Sequence, residues 1–406
     1  MGRLFSVLGI PGLLFLAFLF CTDRRRLSWR TILGGIALQF LLALVVLQTR
    51  LGHQFFHLAG RGAAELIGFT EAGSRFVFGD LVSTKKFGLI VAVQVLPVII
   101  FFSSLSAIFY HFGILQWLVR QMARIFTRTL GLSGAEALGS AANVFVGMVE
   151  APLLVRPYIE QMTESELFCL MSVGMATIAG SVMAAYIGIL QPHFPEVAGH
   201  ILAASLMSAP AAVVISKIMI PETQTPQTAG TVKTSFEKHD VNFIDAAARG
   251  ASDGVYLAIS VAAMLIAFIA LVAMVNAFFG LFGTSFETVL GWLFAPIAFL
   301  MGVPWNEMVQ VGSLLGQKTV LNEFVAYLNL AKGLASGEIV LSARSLTIAT
   351  YALCGFANFG SLGIMIAGIG GMAPGRRHDL ARLGIRAIIS GSLAAFLTAT
   401  IAGILV

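Results

Sequence analysis

The chain has 406 residues, of which 58% are hydrophobic and 11% charged, with a formal net charge of +5. A water-soluble domain of this size carries about 25% charged residues, so that class is excluded. Nucleic acid is also excluded as a partner, because the lysines and arginines sit in the gaps between apolar runs, where the positive-inside rule collects them.

Long unbroken apolar runs with many glycines favour helices over a barrel, which would need ten-residue alternation. The expected fold is therefore an all-α polytopic membrane protein. Eight runs predict spans, near Phe5–Cys21, Ile32–Gln48, Gly88–Tyr110, Ser165–Leu190, His200–Ile220, Gly254–Phe279, Leu346–Gly371 and Ile385–Val406. The first run has only Arg3 ahead of it and a cluster of arginines behind it, the reverse of a secretory signal, so it reads as a retained helix. The cysteines Cys21, Cys169 and Cys354 lie in or beside apolar runs and read as small buried hydrophobes.

Charge sets the orientation. Arg24, Arg25, Arg26 and Arg30 follow the first span, and Arg120, Arg124 and Arg128 lie three or four apart on an amphipathic interfacial stretch. Lys217, Lys233, Lys238 and Arg249 flank the Pro/Thr/Gln-rich linker 221–242, and Arg376, Arg377, Arg382 and Arg386 precede the last span. All four clusters fall inside if both termini are outside. The segment 50–86 mixes both signs and fits this pattern poorly.

That arrangement requires 133–160 and 304–330 to enter and leave on one side. Each is about two short helices long with a polar tip, G-M-V-E-A-P and L-N-E-F respectively. These are marks of re-entrant hairpins, tolerated only where protein or an aqueous cavity surrounds them. Each precedes a span with a small, polar break, A-T-I-A-G-S-V at 176–182 and A-N-F-G-S-L at 357–362. Hairpins entering from opposite sides, each followed by an interrupted helix, make an inverted repeat of the kind that builds a midplane transport site. The units are then a scaffold with an interfacial helix (1–130), a first transport repeat (131–220), a cytoplasmic linker (221–250), a scaffold helix and connection (251–300), a second transport repeat (301–375) and a last span (376–406).

A carboxylate at membrane depth costs about 2.5–3.5 kcal/mol on insertion scales. Glu150 and Glu323, at equivalent tips, therefore need a reason. One reason is structural: each caps the amides of its hairpin's second helix. The other is that both accept hydrogen bonds from a polar, uncharged ligand, with Asn358 and Ser361 adding donors and acceptors. A phosphate would meet two carboxylates and no evident Lys or Arg. In the first half, Asn143, Thr177 and Ser181 with freed carbonyls offer hard oxygens to a cation, although Asn143 serves equally well to satisfy hairpin backbone. A membrane-embedded enzyme using the two glutamates as acid and base lacks any accompanying metal-ligand cluster or nucleophile arrangement, so the chain reads as not an enzyme.

The stretches N-V-F-V-G-M-V-E-A-P-L-L-V-R-P-Y (143–158), A-T-I-A-G-S (176–181), M-G-V-P-W (301–305), L-N-E-F-V-A (321–326) and F-A-N-F-G-S-L-G (356–363) together resemble the concentrative nucleoside transporter family. The resemblance implies a homotrimer in the plasma (inner) membrane, each protomer combining a scaffold with a moving transport domain. It implies nucleoside uptake driven by an inward Na+ or H+ gradient; the Asn143/Thr177 oxygens lean towards Na+, and no organic cofactor is expected. It assigns ribose contacts to Glu323, Asn358 and Ser361, an aromatic lining to Phe356, and sodium ligands to Asn143, Val146, Thr177 and Ile178, the valine and isoleucine through their carbonyls, with Ser181 nearby. Val182, at the end of the first break, is counted with the substrate site. The departure lies at Met148-Val149, where the family has Gln followed by Thr or Ser to read the base. Glu150 is then the remaining polar reader at that tip, and base preference is relaxed, shifted, or met through water. A modified nucleoside or another hydroxylated solute is the alternative cargo.

Overall fold

Apolar backbone removed from water must satisfy its own hydrogen bonds, and the described residues of this chain do so with helices. The computed structural model describes residues 2–88, 90–229 and 240–406, and no strand occurs among them. Six helical stretches among these residues are long and apolar enough to cross a membrane: Trp29–Gln48, Val91–His111, Glu164–Leu190, Val197–Met219, Phe243–Gly280 and Pro374–Leu405. The other two expected spans also form helices. One is Gly2–Leu19; the other is divided into Ala343–Leu353 and Phe359–Met372.

Three features differ from the expectation. The mixed-charge segment folds as a 29-residue helix, Arg50–Phe78, capped by Thr49. Its charges lie along an amphipathic helix, so a search for uninterrupted apolar runs misses it. A further apolar helix, Phe286–Leu300, occupies what read as a connection. The 38-residue helix Phe243–Gly280 starts inside the expected linker, because Asn242 caps it by accepting from the Ile244 and Asp245 amides. The linker's first part is not loose either: the Thr228 carbonyl and hydroxyl accept from the Gly134 and Ala135 amides, at 2.9 and 3.1 Å. Lys233 and Lys238 lie outside the described residues.

The arginine-bearing stretch forms the expected amphipathic helix, Ile114–Leu130. It buries Val119, Phe126 and Leu130 on one side and carries Arg120, Arg124 and Arg128 on the other.

Two five-part series run in the same order along the chain. The first comprises Leu96–His111, Ile114–Leu130, the short helices between Gly134 and Ile159, the broken helix between Glu164 and Leu190, and Val197–Met219. The second comprises Phe243–Gly280, Phe286–Leu300, the pair Met308–Val320 and Glu323–Ser336, the broken helix between Ala343 and Met372, and Arg377–Leu405. Matching members pack together. Leu96–His111 lies against Phe243–Gly280, and Val197–Met219 lies against Arg377–Leu405. At the first contact, Gly250 and Gly254 bring the backbones so close that a Cβ at Gly254 would sit 2.7 Å from the Ile100 Cα. Small residues four apart permit this kind of approach.

The two broken helices cross at their breaks. The first stops after Ala176 and resumes at Gly180, with Thr177 extended (φ −105°, ψ 172°). The second stops at Leu353 and resumes at Phe359. Between them, Gly355 takes φ +143°, and a Cβ there would lie 2.7 Å from the Ala176 carbonyl oxygen. Only glycine meets both demands. Gly355→Ala should therefore lower the thermal unfolding midpoint of detergent-solubilised protein by several degrees, since backbone strain and overpacking each cost roughly 1–3 kcal/mol. An unchanged midpoint would show that the crossing yields easily.

Candidate substrate and ion site

The second tip is built from capping rules. Val320 ends one helix, and Asn322 starts the next by accepting from the Val325 amide at 2.9 Å. Glu323 thus stands at the first helical position, where the helix dipole favours a carboxylate. Capping is not its whole role, because both of its oxygens are engaged by other elements. Oε1 accepts from the Tyr186 hydroxyl at 2.7 Å, and Oε2 accepts from Asn358 Nδ2 at 2.8 Å. Glu323 is buried, as are Asn358 and Ser361.

Asn358 caps the resumed half of the second broken helix: its Oδ1 accepts from the Ser361 amide at 2.8 Å. Its other end holds Glu323, so one amide side chain joins the second tip to the second break. Tyr186 comes from the resumed half of the first broken helix, stacked on Tyr327 at 4.7 Å and edge-on to Phe324 at 5.7 Å. Three of the four hairpin and broken-helix elements therefore converge on one carboxylate. Phe356 is buried within the second break itself.

Two further ties fix this corner. The Tyr327 hydroxyl donates to the Thr350 carbonyl at 2.7 Å, and Lys318 Nζ donates to the Ala352 carbonyl at 2.8 Å. Both carbonyls lie at the end of a half-helix, where intrahelical donors run out. Sequence reasoning passed over Tyr186, Lys318 and Tyr327. The signal for Lys318 was there: a lysine shortly before the tip, in a segment read as membrane-embedded.

The first tip is different in kind. Gly134–Ala142 ends at Asn143, the chain runs without regular helix to Val149, and a four-residue helix starts at Glu150. Glu150 is exposed, with its carboxylate folded over Gly147. The two glutamates share the helix-start position and little else. Met148 is buried, its Cβ 3.1 Å from where a Cβ on Gly174 would stand. Val149 meets Gly368 of the second broken helix in the same way, at 2.8 Å. The apolar pair therefore packs across both broken helices.

Asn143 Nδ2 donates to the Gly139 carbonyl at 3.0 Å, which satisfies hairpin backbone. Its Oδ1 is buried with no hydrogen-bond partner. That oxygen lies 3.5 Å from where a Cβ on Gly174 would be, and the Phe145 carbonyl lies 3.3 Å from the equivalent point on Gly180. The first tip thus lies against both sides of the first break. Thr177 donates to the Val173 carbonyl at 2.9 Å and leaves its oxygen lone pairs available. Ile178, Ser181 and Val182 are buried in the same break, and Val146 is half-buried at the tip. The base of this hairpin is anchored by Lys217, whose Nζ lies 2.5 Å from Glu136 Oε1 and 3.0 Å from Ser165 Oγ.

Comparison with known proteins gives a consistent result. Residues 200–403 match the family model for the Na+ dependent nucleoside transporter C-terminus, and residues 8–81 match the one for its N-terminus. Residues 92–193 match a model described as nucleoside recognition. Solute carrier family 28 member 3 of Mus musculus is 43% identical over 422 residues, covering 99% of this chain and 59% of that protein. The chain thus spans well under two thirds of that relative. The uncharacterized transporter YutK of Bacillus subtilis (strain 168) is 43% identical over 417 residues, covering 100% of both. Among solved structures, CNTnw in an inward-facing substrate-bound state superposes with a TM-score of 0.94 at 43% identity, covering 100% of this chain and 98% of that one. A variant of CNTnw in an outward-facing state also gives 0.94, at 42% identity and covering 100% and 99%.

The Tyr186–Glu323 bond should appear directly in a double-mutant cycle. Tyr186→Phe keeps the ring stack and removes one hydrogen bond to a carboxylate, a loss of about 1.5–3 kcal/mol. Combined with Glu323→Gln it should cost clearly less than the sum of the two single changes, read as thermal or chemical unfolding of purified protein. Strict additivity would mean that the two side chains are not coupled.

Proposed function

Because the chain belongs to the concentrative, Na+-dependent nucleoside transporter family, we propose that it is itself a cation-coupled symporter that imports nucleosides by alternating access. Members of this family are transporters, not enzymes. In this reading the helices Arg50–Phe78 and Phe286–Leu300 do not cross the membrane, and the pairs at 134–159 and 308–336 are re-entrant hairpins entering from opposite sides, with the N-terminus outside. The protein then sits in the plasma (inner) membrane as a homotrimer, with both termini outside.

The observation that carries the reading is the shared carboxylate. Glu323 has about four lone-pair positions and uses two, for Tyr186 and Asn358. The rest of its acceptor capacity is open to a ligand's hydroxyl donors. Asn358 has one amide N–H left after bonding Glu323, and the Ser361 hydroxyl lies one helical turn on. A carboxylate acceptor, an amide donor and a hydroxyl within one turn suit a pair of neighbouring hydroxyls on a ribose. The cargo is neutral, since a free anion would be repelled by Glu323.

The coupling ion is proposed to bind at the first tip. Asn143 Oδ1 is a buried acceptor without a donor, a state that costs roughly 1–3 kcal/mol. Asn143, Thr177 and the carbonyls of Val146 and Ile178, with Ser181 near, are the hard oxygens that would hold Na+. The ion would supply the positive charge these oxygens lack. This chain's residues would then tie the first tip to the first break in the loaded state alone. Na+ is favoured over H+ because the donors are neutral oxygens. No organic cofactor is needed.

A second reading keeps the fold and broadens the cargo to modified nucleosides or other hydroxylated solutes. The packing of Met148 and Val149 favours it, because an apolar wall reads no polar edge of a base.

Uptake of labelled uridine into proteoliposomes under an inward Na+ gradient, with a choline control, tests both readings. Na+-dependent accumulation that nucleosides inhibit and free bases do not is the expected result. No uptake and no competition by any nucleoside, from folded protein, would leave the second reading. Asn143→Ala should raise the half-saturating Na+ concentration severalfold while uridine competition at high Na+ keeps its rank order. An unchanged Na+ dependence would remove Asn143 from the ion site.

A further inference from the structure

Among the described residues two lysines, Lys217 and Lys318, are deeply buried, and they are treated differently. Lys217 has carboxylate company, with Glu136 at 2.5 Å and Glu222 at 3.9 Å. Lys318 is fully buried, and among the described residues no carboxylate lies within ion-pair distance of it. Its Nζ donates to the Ala352 carbonyl at 2.8 Å and lies 5.8 Å from the centroid of the Phe396 ring. A buried ammonium is costly unless it is paired; the Glu323 carboxylate acts on this one from beyond ion-pair distance, and its direct partners are a carbonyl and an aromatic face. Both are partners a metal cation would also accept.

The position of that carbonyl gives the arrangement a purpose. Ala352 is the penultimate residue of the helix Ala343–Leu353, directly before the second break. Its oxygen belongs to the negative end of a half-helix, which a positive charge stabilises. The first repeat has the same geometry with no tethered charge. There the half-helix Glu164–Ala176 ends at Thr177, and the facing hairpin offers Asn143, whose Oδ1 is buried and without a partner. One break is met by an ammonium on the hairpin's own helix; the other is met by a neutral oxygen that still needs a cation.

We propose that Lys318 is a tethered internal cation for the second break. It is a positioning residue that does permanently in the second repeat what the coupling ion does transiently in the first. The comparison with the first repeat rests on the proposed ion site; the role of Lys318 at Ala352 does not. Lys318 and Tyr327 hold the end of Ala343–Leu353 while Glu323 holds Asn358 on the far side of the break. The second hairpin therefore grips both sides of the second break without any ion, and this grip sets the position of the Glu323 carboxylate. Ion dependence is confined to the first tip.

The test is chemical rescue. Lys318→Ala removes the ammonium and leaves space for a small cation. Purified Lys318→Ala should bind uridine at least tenfold more weakly in saturating Na+, measured by calorimetry. Ethylammonium should restore much of that loss and raise the thermal unfolding midpoint, whereas ethanol and choline at equal concentration should do neither. The midpoint needs no cargo, so rescue of stability without uridine binding would support Lys318 while counting against the nucleoside reading. Lys318→Met, which fills the volume without the charge, covers the case in which the alanine variant does not fold. It should transport with a KM at least tenfold higher and an unchanged half-saturating Na+ concentration. Wild-type KM in Lys318→Met, or equal rescue of Lys318→Ala by ethanol and ethylammonium, would overturn the proposal and reduce Lys318 to a space-filling side chain.

Discussion

The constraint on which the rest of this structure depends is the satisfaction of backbone groups freed where two helices are interrupted inside an apolar environment. An unpaired amide or carbonyl in hydrocarbon costs several kcal/mol, so no break survives there without partners. Each break is correspondingly met by a hairpin tip. The second is answered within the protein: Lys318 and Tyr327 take the carbonyls before it, and Asn358 caps the helix after it. The first is answered in part. Asn143 satisfies its own hairpin with its amide and presents an unmatched oxygen to the break.

The proposed function grows from that inequality. Groups placed to satisfy backbone are also the groups best placed to meet a ligand, because a break is where polar atoms can stand at depth. Asn358 is both a helix cap and a partner of Glu323. Glu323 is both a helix-start carboxylate and the point where the second tip meets the first broken helix through Tyr186. A solute that bonds Glu323 therefore touches the joint between the two repeats. The crossing of Gly355 over the Ala176 carbonyl places the two breaks in contact, so occupancy of one has a short path to the other.

Much of this was legible in the residue pattern. Apolar runs located long helices. Small-residue breaks located the two helix interruptions, because an Asn-Phe-Gly-Ser break inside an apolar run is costly unless buried polar partners meet it. What escaped depended on distance in the chain. Tyr186 reads as an ordinary aromatic in a span, and only folding brings it to Glu323, 137 residues away. Lys318 finds its acceptor 34 residues on, in the helix beyond its own hairpin. Arg50–Phe78 escaped because hydropathy averages over a helix whose faces differ. The weight given to Glu150 came from its match to Glu323 in the repeat. The structure leaves Glu150 exposed and buries Glu323, a difference set by which elements pack over each tip.

The most direct measurement is binding of uridine against its 2′- and 3′-deoxy analogues to the purified protein in saturating Na+. If the buried Glu323–Asn358 pair reads adjacent hydroxyls, removing one strands a buried acceptor, and affinity should fall at least tenfold for one analogue or both. Equal affinity for uridine and both deoxy analogues would contradict a ribose-reading carboxylate at the crossing of the two breaks.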